Sequence, residues 1–548
     1  MIATMHNDPT NMALSEPLPA SVPVFIVGGG PSGLAMSLLL HRFRIRNVVI
    51  ERSATTTDHP KSRGCWIRTM ELFRQWGVEA AIRARGLRDQ SDMFVFVESM
   101  AGHEFGRTRP EPNLQHTPAW KSLVAQDAVE EVLLDSLRGS PWSTVLYSTE
   151  FLSFAEQPDG HVVSARSLET GQTFEMHARY LIAADGAGSP TRRAAGIEMT
   201  GPSTIAVMAN DYWRADLSHL PKASEAAGFR VVPADRSLPS STILNTNGRD
   251  RWLTVTQIGQ DKDDRPVPWD DAELIRIVRA QTGVPDLQVK IINRSIWRVS
   301  RQVARQFSAG RIFLVGDAAH RFPPTGGFGL NSSVQDAHNL AWKLAYVLRG
   351  WADERLLESY GQERRPVAES NADFSFGNRL RFTHAVEAVR SGDVDRIAFW
   401  VNDMDNHLHS VGQALGFTYH EGCVIPDGTV PKPLNPRHYE PTDRPGARFP
   451  HVWLDAARER STLDWFDERF VLVTGPRGDD WEEACRSAAQ RLDLPIDFRM
   501  LETPTEGMEM GPRGAVLVRP DGHVAWRCPW QPPDMVGALT STLRGLLR

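Results

Sequence analysis

Val24-Phe25-Ile26-Val27-Gly28-Gly29-Gly30-Pro31-Ser32-Gly33 is the stretch on which the fold is read. Its first four residues make a short buried strand, the glycines turn the chain, and helical apolar spacing follows to about Arg44. Gly28 permits a tight turn, Gly30 lets backbone N–H groups approach a pyrophosphate, and Gly33 lets the helix pack closely on the strand. Pro31 and Ser32 open that helix, whose N-terminus turns its positive dipole end to the phosphates. A second apolar run, Val48 to Ile50, ends in Glu51 and Arg52, and Glu51 stands 23 residues after Gly28. An acid there accepts hydrogen bonds from a ribose diol and disfavours a phosphorylated ribose. This strand-turn-helix-strand unit begins a doubly wound α/β sheet that binds a dinucleotide, with the choice between FAD and NAD still open.

The chain has 548 residues, too many for one core, and two to four domains are expected. A net charge of -6, with 61 Lys and Arg spread along the sequence, argues against a nucleic-acid or anionic-membrane partner. Cys65, Cys423, Cys485 and Cys528 form no CxxC pair, so neither a disulfide framework nor a metal site is expected. The first 22 residues read as a disordered tail without signal-peptide features, and no apolar run reaches the roughly 20 residues of a membrane span. A cytoplasmic protein is the expectation.

Leu181–Ala184 and Ile312–Val315 are further apolar runs ending at Asp-bearing turns, so they read as strands returning to the first sheet. The cofactor domain is therefore discontinuous, over 23–93, 126–199 and 300–420. Alternating segments over 94–125 and 200–299 predict an inserted, mainly antiparallel sheet, the substrate domain under the family resemblance given below. The proline-rich stretch 421–447 reads as a linker, and 448–548 as a compact β-α-β-β-α unit.

Ala184-Asp185-Gly186-Ala187-Gly188-Ser189 with Arg192, and Gly316-Asp317-Ala318-Ala319-His320, resemble the second and third fingerprints of the single-component flavoprotein aromatic hydroxylases, the group typified by para-hydroxybenzoate hydroxylase. The likeness continues through His320-Arg321-Phe322-Pro323-Pro324 and Gly326-Gly327-Phe328-Gly329-Leu330-Asn331 to Asn339-Leu340-Ala341-Trp342-Lys343-Leu344, as in the phenol and dichlorophenol hydroxylase branch. It implies a Rossmann-like FAD domain and a thioredoxin-like C-terminal domain, here without CxxC. It also implies an FAD cofactor, NADH or NADPH as transient electron donor, and ring hydroxylation with O2 through a flavin hydroperoxide.

Residue by residue, the resemblance assigns Asp317 to the ribityl chain, Asp185 and Gly186 to the pyrophosphate turn, and Gln126 to the flavin. Pro324, Gly327, Gly329, Leu330 and Asn331 fall to the flavin ring, with a helix N-terminus at its pyrimidine edge. Lys61 or Arg63 stands where a cofactor-contacting Arg is usual, and Trp66 at the flavin-facing wall. Glu363-Arg364-Arg365-Pro366 matches the family at the end of a later helix. The candidate catalytic residues are His320, Pro323, Tyr212 and Arg298, the last as a phenolate stabiliser. Trp66, Trp213, Trp252 and Trp297 are the candidate substrate contacts. The expected substrate is a small phenol or catechol, including a nitrocatechol hydroxylated with release of nitrite. A polycyclic aromatic polyketide is the alternative, and a noncatalytic FAD-binding redox protein the alternative of another class. A packing or dimerisation role is expected of the C-terminal domain, the latter giving a homodimer.

Overall fold

The computed structural model describes residues 18–88, 92–111 and 115–548, so most of the expected tail lies outside the described residues. The strand Ser21–Val27 lies between two parallel partners, Asn47–Ile50 and Thr173–Ala183. Ile312–Leu314 extends the sheet beyond the second, and Ser143–Leu146 beyond the first, both again parallel. A parallel sheet is covered on both faces, which is why its strands are continuously apolar rather than alternating. The helices Pro31–Arg42 and Phe328–Leu348 cover one face, where Leu34, Val334 and Leu344 join the core. The other face buries Phe25, Val48 and Leu181 beneath an antiparallel extension, Thr149–Gln157 and Gly160–Ser167.

Residues 63–83 form a strand, Arg63–Cys65, and two helices, Ile67–Gln75 and Glu79–Arg83. Gly77, at φ +77°, ends the first of these in the left-handed region. Arg63–Cys65 pairs with Ser122–Ala125, so residues 122–125 stand with the cofactor domain and not, as expected, with the substrate sheet.

That second sheet has seven strands in the order 290–299, 206–214, 251–257, 241–245, 228–231, 94–97 and 104–107. It is antiparallel except where Gly228–Val231 runs parallel to Phe94–Val97. One face packs on the helix Asp271–Thr282, with Phe229, Val231, Ile243, Leu274 and Val278 between them. The opposite face turns toward the cofactor domain and the long helix Glu358–Ser391.

The C-terminal sheet has the order 496–500, 470–474, 515–518, 524–528, with helices Asp480–Leu492 and Met535–Leu546. Phe470, Leu472, Trp481 and Leu539 belong to the same hydrophobic cluster as Leu344 and Tyr346 of the cofactor domain. The expected linker, 421–447, has no helix or strand but is packed down: Cys423 and Tyr439 are buried, and Arg527 pairs with Asp427 and Asp443 at 2.5 and 2.7 Å. Among the described residues no helix is long and apolar enough to cross a membrane, and no cluster of metal-ligating side chains occurs.

Candidate active site

Three strand-end turns converge on one side of the parallel sheet. The first is the glycine loop, which approaches its neighbours so closely that side chains are excluded. A Cβ on Gly28 would lie 2.3 Å from the Ala184 carbonyl oxygen, and one on Gly33 would lie 1.9 Å from that of Gly28. Gly30 is the reverse case: a Cβ there would meet nothing within 4 Å, leaving its outer side open for a ligand. The helix starts at Pro31, so the N–H groups of its first turn face that space. Glu51 closes the loop from the side, accepting from Gly29 N at 2.9 Å with one oxygen and from Ser53 N at 2.8 Å with the other. Arg52 follows it, exposed.

Asp185 and Gly186 build the second turn. The Asp185 carboxylate accepts from Ser189 Oγ at 2.5 Å and Thr191 N at 2.9 Å, and Gly186 takes φ +74°. Arg192 ties this turn to the third by donating to the Ala318 carbonyl at 3.4 Å.

The third turn, Gly316–Ala318, presents Asp317. A Cβ on Gly316 would fall 2.7 Å from Ser333 Oγ and 2.9 Å from Ser32 Oγ, so this turn touches both helices that end at the site. Asp317 is exposed, yet loss of hydration raises its carboxyl above the ordinary value, against the pull of His320, Arg321 and Lys61. The space among these three turns is the candidate cofactor cleft, with Asp317 at its edge. No described residue donates a hydrogen bond to this carboxylate. The tight Gly28 and Gly33, the open Gly30, and this unused acceptor together fit an extended dinucleotide.

The loop before Phe328–Leu348 forms the inner wall. Gly326 and Gly327 have φ +110° and +69°, and the helix begins at Phe328. Pro323 is buried and Pro324 exposed, whereas Gly329 has nothing within 4 Å of a Cβ position. Leu330 is buried in the core behind it. Asn331 is spent on the protein: its amide donates to the Gly64 and Gly327 carbonyls at 3.0 and 2.7 Å, and its oxygen accepts from Trp66 N at 2.7 Å. Trp66 Nε1 in turn donates to the Gly326 carbonyl at 2.6 Å, and its ring lies against Gly327. Trp66 and Asn331 thus clamp the glycine loop from two segments far apart in sequence.

Several expected roles are reassigned by these positions. His320 is fully buried, stacked on Phe322 at 4.6 Å, and bonded through Nε2 to Asp336 at 2.6 Å. Burial alone pushes the Asp336 carboxyl up, but His320 and Arg364 hold it below the ordinary value. His320 therefore supports the Asp317 turn from behind and faces no substrate. Arg63 donates to the backbone carbonyls of Ala227 and Asn245, so it pins the substrate sheet to the cofactor domain; burial pushes its guanidinium down to about 10. Lys61 is exposed beside the cleft, and Gln126 donates to Glu130 at 2.8 Å.

Trp213 and Trp252 stack on each other at 6.1 Å within the core over Asp271–Thr282, on the sheet face away from the cleft. Arg298 is exposed, pairs across from Val207, and donates to the Asp264 carbonyl at 3.2 Å, also away from it. Tyr212 and Trp297 have the opposite phase. Tyr212 meets His59 edge-on at 6.1 Å, and Trp297 Nε1 donates to Asn210 at 2.9 Å. Their face also carries Met208, Leu244, Leu253 and Arg230, none of them singled out from sequence. Strand alternation puts these residues on one face, but nothing local says which face meets the cofactor domain.

Residues 21–375 match the family described as FAD binding domain, and residues 442–547 match that described as aromatic-ring hydroxylase, C-terminal. A tetracenomycin A2 monooxygenase-dioxygenase from Streptomyces glaucescens is 34% identical over 96% of this chain and 97% of its own. A 4-methyl-5-nitrocatechol 5-monooxygenase from a Burkholderia species is 33% identical over 97% and 99%. The solved structure of the flavin-dependent monooxygenase PieE, in complex with FAD and substrate, superposes with a TM-score of 0.89 at 30% identity, over 96% of this chain and 99% of that one. With three turns built for FAD and relatives matched along nearly its whole length, this chain belongs to the FAD-dependent aromatic-ring hydroxylases, a family of flavoprotein monooxygenases.

Proposed function

We propose that the protein hydroxylates a phenolic ring held between the Tyr212–Trp297 sheet face and the Trp66–Gly327 wall, at the expense of NADH or NADPH and O2. What supports this reading is the Asp317 turn, whose carboxylate no described residue engages, set beside the glycine loop and the Trp66–Gly327 wall in a chain matched along nearly its whole length by aromatic hydroxylases. Bound FAD supplies the redox chemistry: it accepts hydride from the nicotinamide and activates oxygen. The chain's own residues hold and enclose. Gly30 and the first turn of Pro31–Arg42 offer N–H groups to the pyrophosphate, Glu51 and Asp317 accept from sugar and ribityl hydroxyls, and the first turn of Phe328–Leu348 aims its positive end at the ring system. Buried Trp66, Phe328 and Leu123 keep water from the reaction face, which in this chemistry protects against wasted reduction.

A small phenol or catechol, with nitrite leaving where the ring carries a nitro group, is supported by the sequence likeness around His320 to Leu344 and by the nitrocatechol relative. A multi-ring polyketide is supported as strongly by the tetracenomycin relative. Purified protein is to be assayed with NADH and NADPH against phenols, nitrocatechols and polycyclic phenols, recording oxygen uptake, peroxide, nitrite and 18O in the product. Substrate-stimulated nicotinamide oxidation with one 18O per product is expected. FAD binding without such stimulation by any compound would overturn the proposal in favour of a noncatalytic redox protein.

A further inference from the structure

At the cleft-side face of the large sheet stand two cations with no acid opposite them, one on the sheet and one on the helix that packs over it. Arg230 stands three residues beyond Ala227, ~10 Å along the strand from the carbonyl that Arg63 holds. Its Nη1 donates to Thr242 Oγ1 at 2.6 Å, its guanidinium lies 5.2 Å from the Phe382 ring, and its Nε is buried without an acceptor. Arg379, one turn before Phe382 on the helix Glu358–Ser391, reaches the same face and donates to Gln257 Oε1 at 3.3 Å. Asn378, beside it, borders the wall loop: its Nδ2 would stand 3.3 Å from a Cβ on Gly326 and is likewise buried without an acceptor. That turn of the helix therefore runs from the loop to the cationic pair.

Among the described residues no Asp or Glu pairs with Arg230 or Arg379. Burial pushes the Arg230 guanidinium down to about 10, and Arg379 and Arg390 add like-charge repulsion; burial lowers Arg379 too. An enclosed cation without a counter-charge is costly, and a cluster offering donors only is completed by an anion.

We propose that Arg230 and Arg379 form the far end of the substrate chamber and bind a carboxylate on the aromatic substrate, so that the enzyme takes a hydroxyaryl carboxylic acid with its reacting ring toward Trp66 and Pro323. This rests on the hydroxylase reading and narrows its substrate class. The FAD-loaded protein, without nicotinamide, is titrated with phenols and naphthols matched with and without a ring carboxylate, following flavin absorbance and tryptophan fluorescence. The acids are expected to bind the native protein at least ~10-fold more tightly than their neutral partners. Arg230→Met and Arg379→Met are each expected to weaken the acids roughly 10- to 100-fold, the effect of losing a charge-assisted hydrogen bond, with the neutral compounds changed less than about threefold. Equal affinity of acids and neutrals for the native protein overturns the subsite whether or not the variants fold, as does parallel weakening of both series. A persistent acid preference without turnover leaves the subsite standing and removes the hydroxylase reading; turnover without acid preference does the reverse.

Discussion

At the scale of single residues, Asp317 separates binding from folding. Its carboxyl is dehydrated and unpartnered in the protein alone, so its charge opposes the fold until hydroxyl donors arrive. Asp317→Ala is expected to leave the apoprotein melting temperature unchanged or slightly higher, while FAD affinity falls roughly 10- to 100-fold in a fluorescence titration. A parallel loss of both would assign Asp317 to the fold. Residues of this kind were legible because backbone geometry demands them: Gly28, Gly33 and Glu51 stand where steric and hydrogen-bond rules place them. The side-chain directions of His320 and Asn331 were not legible, because a side chain adjoining a motif can point forward to the ligand or back into the protein. Here each points back, to Asp336 and to the Gly64 carbonyl. Trp213 and Trp297 differ only in strand phase, and phase becomes meaningful once the sheet's neighbours are known.

At the scale of elements, the two helices after the wall loop are locked by a buried ionic cluster. Lys343 of Phe328–Leu348 and Glu363 of Glu358–Ser391 pair at 2.7 Å, and Arg519 and Asp521 of the C-terminal unit close the set. Burial alone pushes the Glu363 carboxyl up, but Arg519 and Lys343 hold it down at about 2. Arg519→Met leaves Glu363 and Asp521 short of positive charge and is expected to cost about 3–5 kcal/mol in a denaturant melt. Arg519→Met with Glu363→Gln is expected to cost less than the sum of the two single changes. Additive losses would show that these side chains do not act together. The Glu363-Arg364-Arg365-Pro366 motif was visible as a charged stretch at a helix terminus. It lies inside the helix instead, and its partner Arg519 is 156 residues away, a pairing no local pattern announces.

At the scale of the whole molecule, stability is tied to pH through the same cluster. Burial pushes His338 and His523 down to about 3 each, so both are neutral in the folded protein, whereas the unfolded chain takes up protons below about pH 6.5. The unfolded state then binds more protons between pH 6.5 and 3, and stability falls as pH falls through that window. Between pH 7.5 and 5.5 the loss is expected to be roughly 1.4 kcal/mol per histidine, measured by denaturant melts, and to shrink in His338→Gln and His523→Gln. An unchanged slope in both variants would place the pH response elsewhere. The core shared between Leu344 and Leu543 has a last consequence, for synthesis. Leu543 follows Leu344 by 199 residues, so at ~5–20 residues per second the ribosome delivers the cover ~10–40 s after the surface it protects. Through that interval the nascent chain displays Trp342, Leu344 and Tyr346 without the cover that the C-terminal unit later supplies.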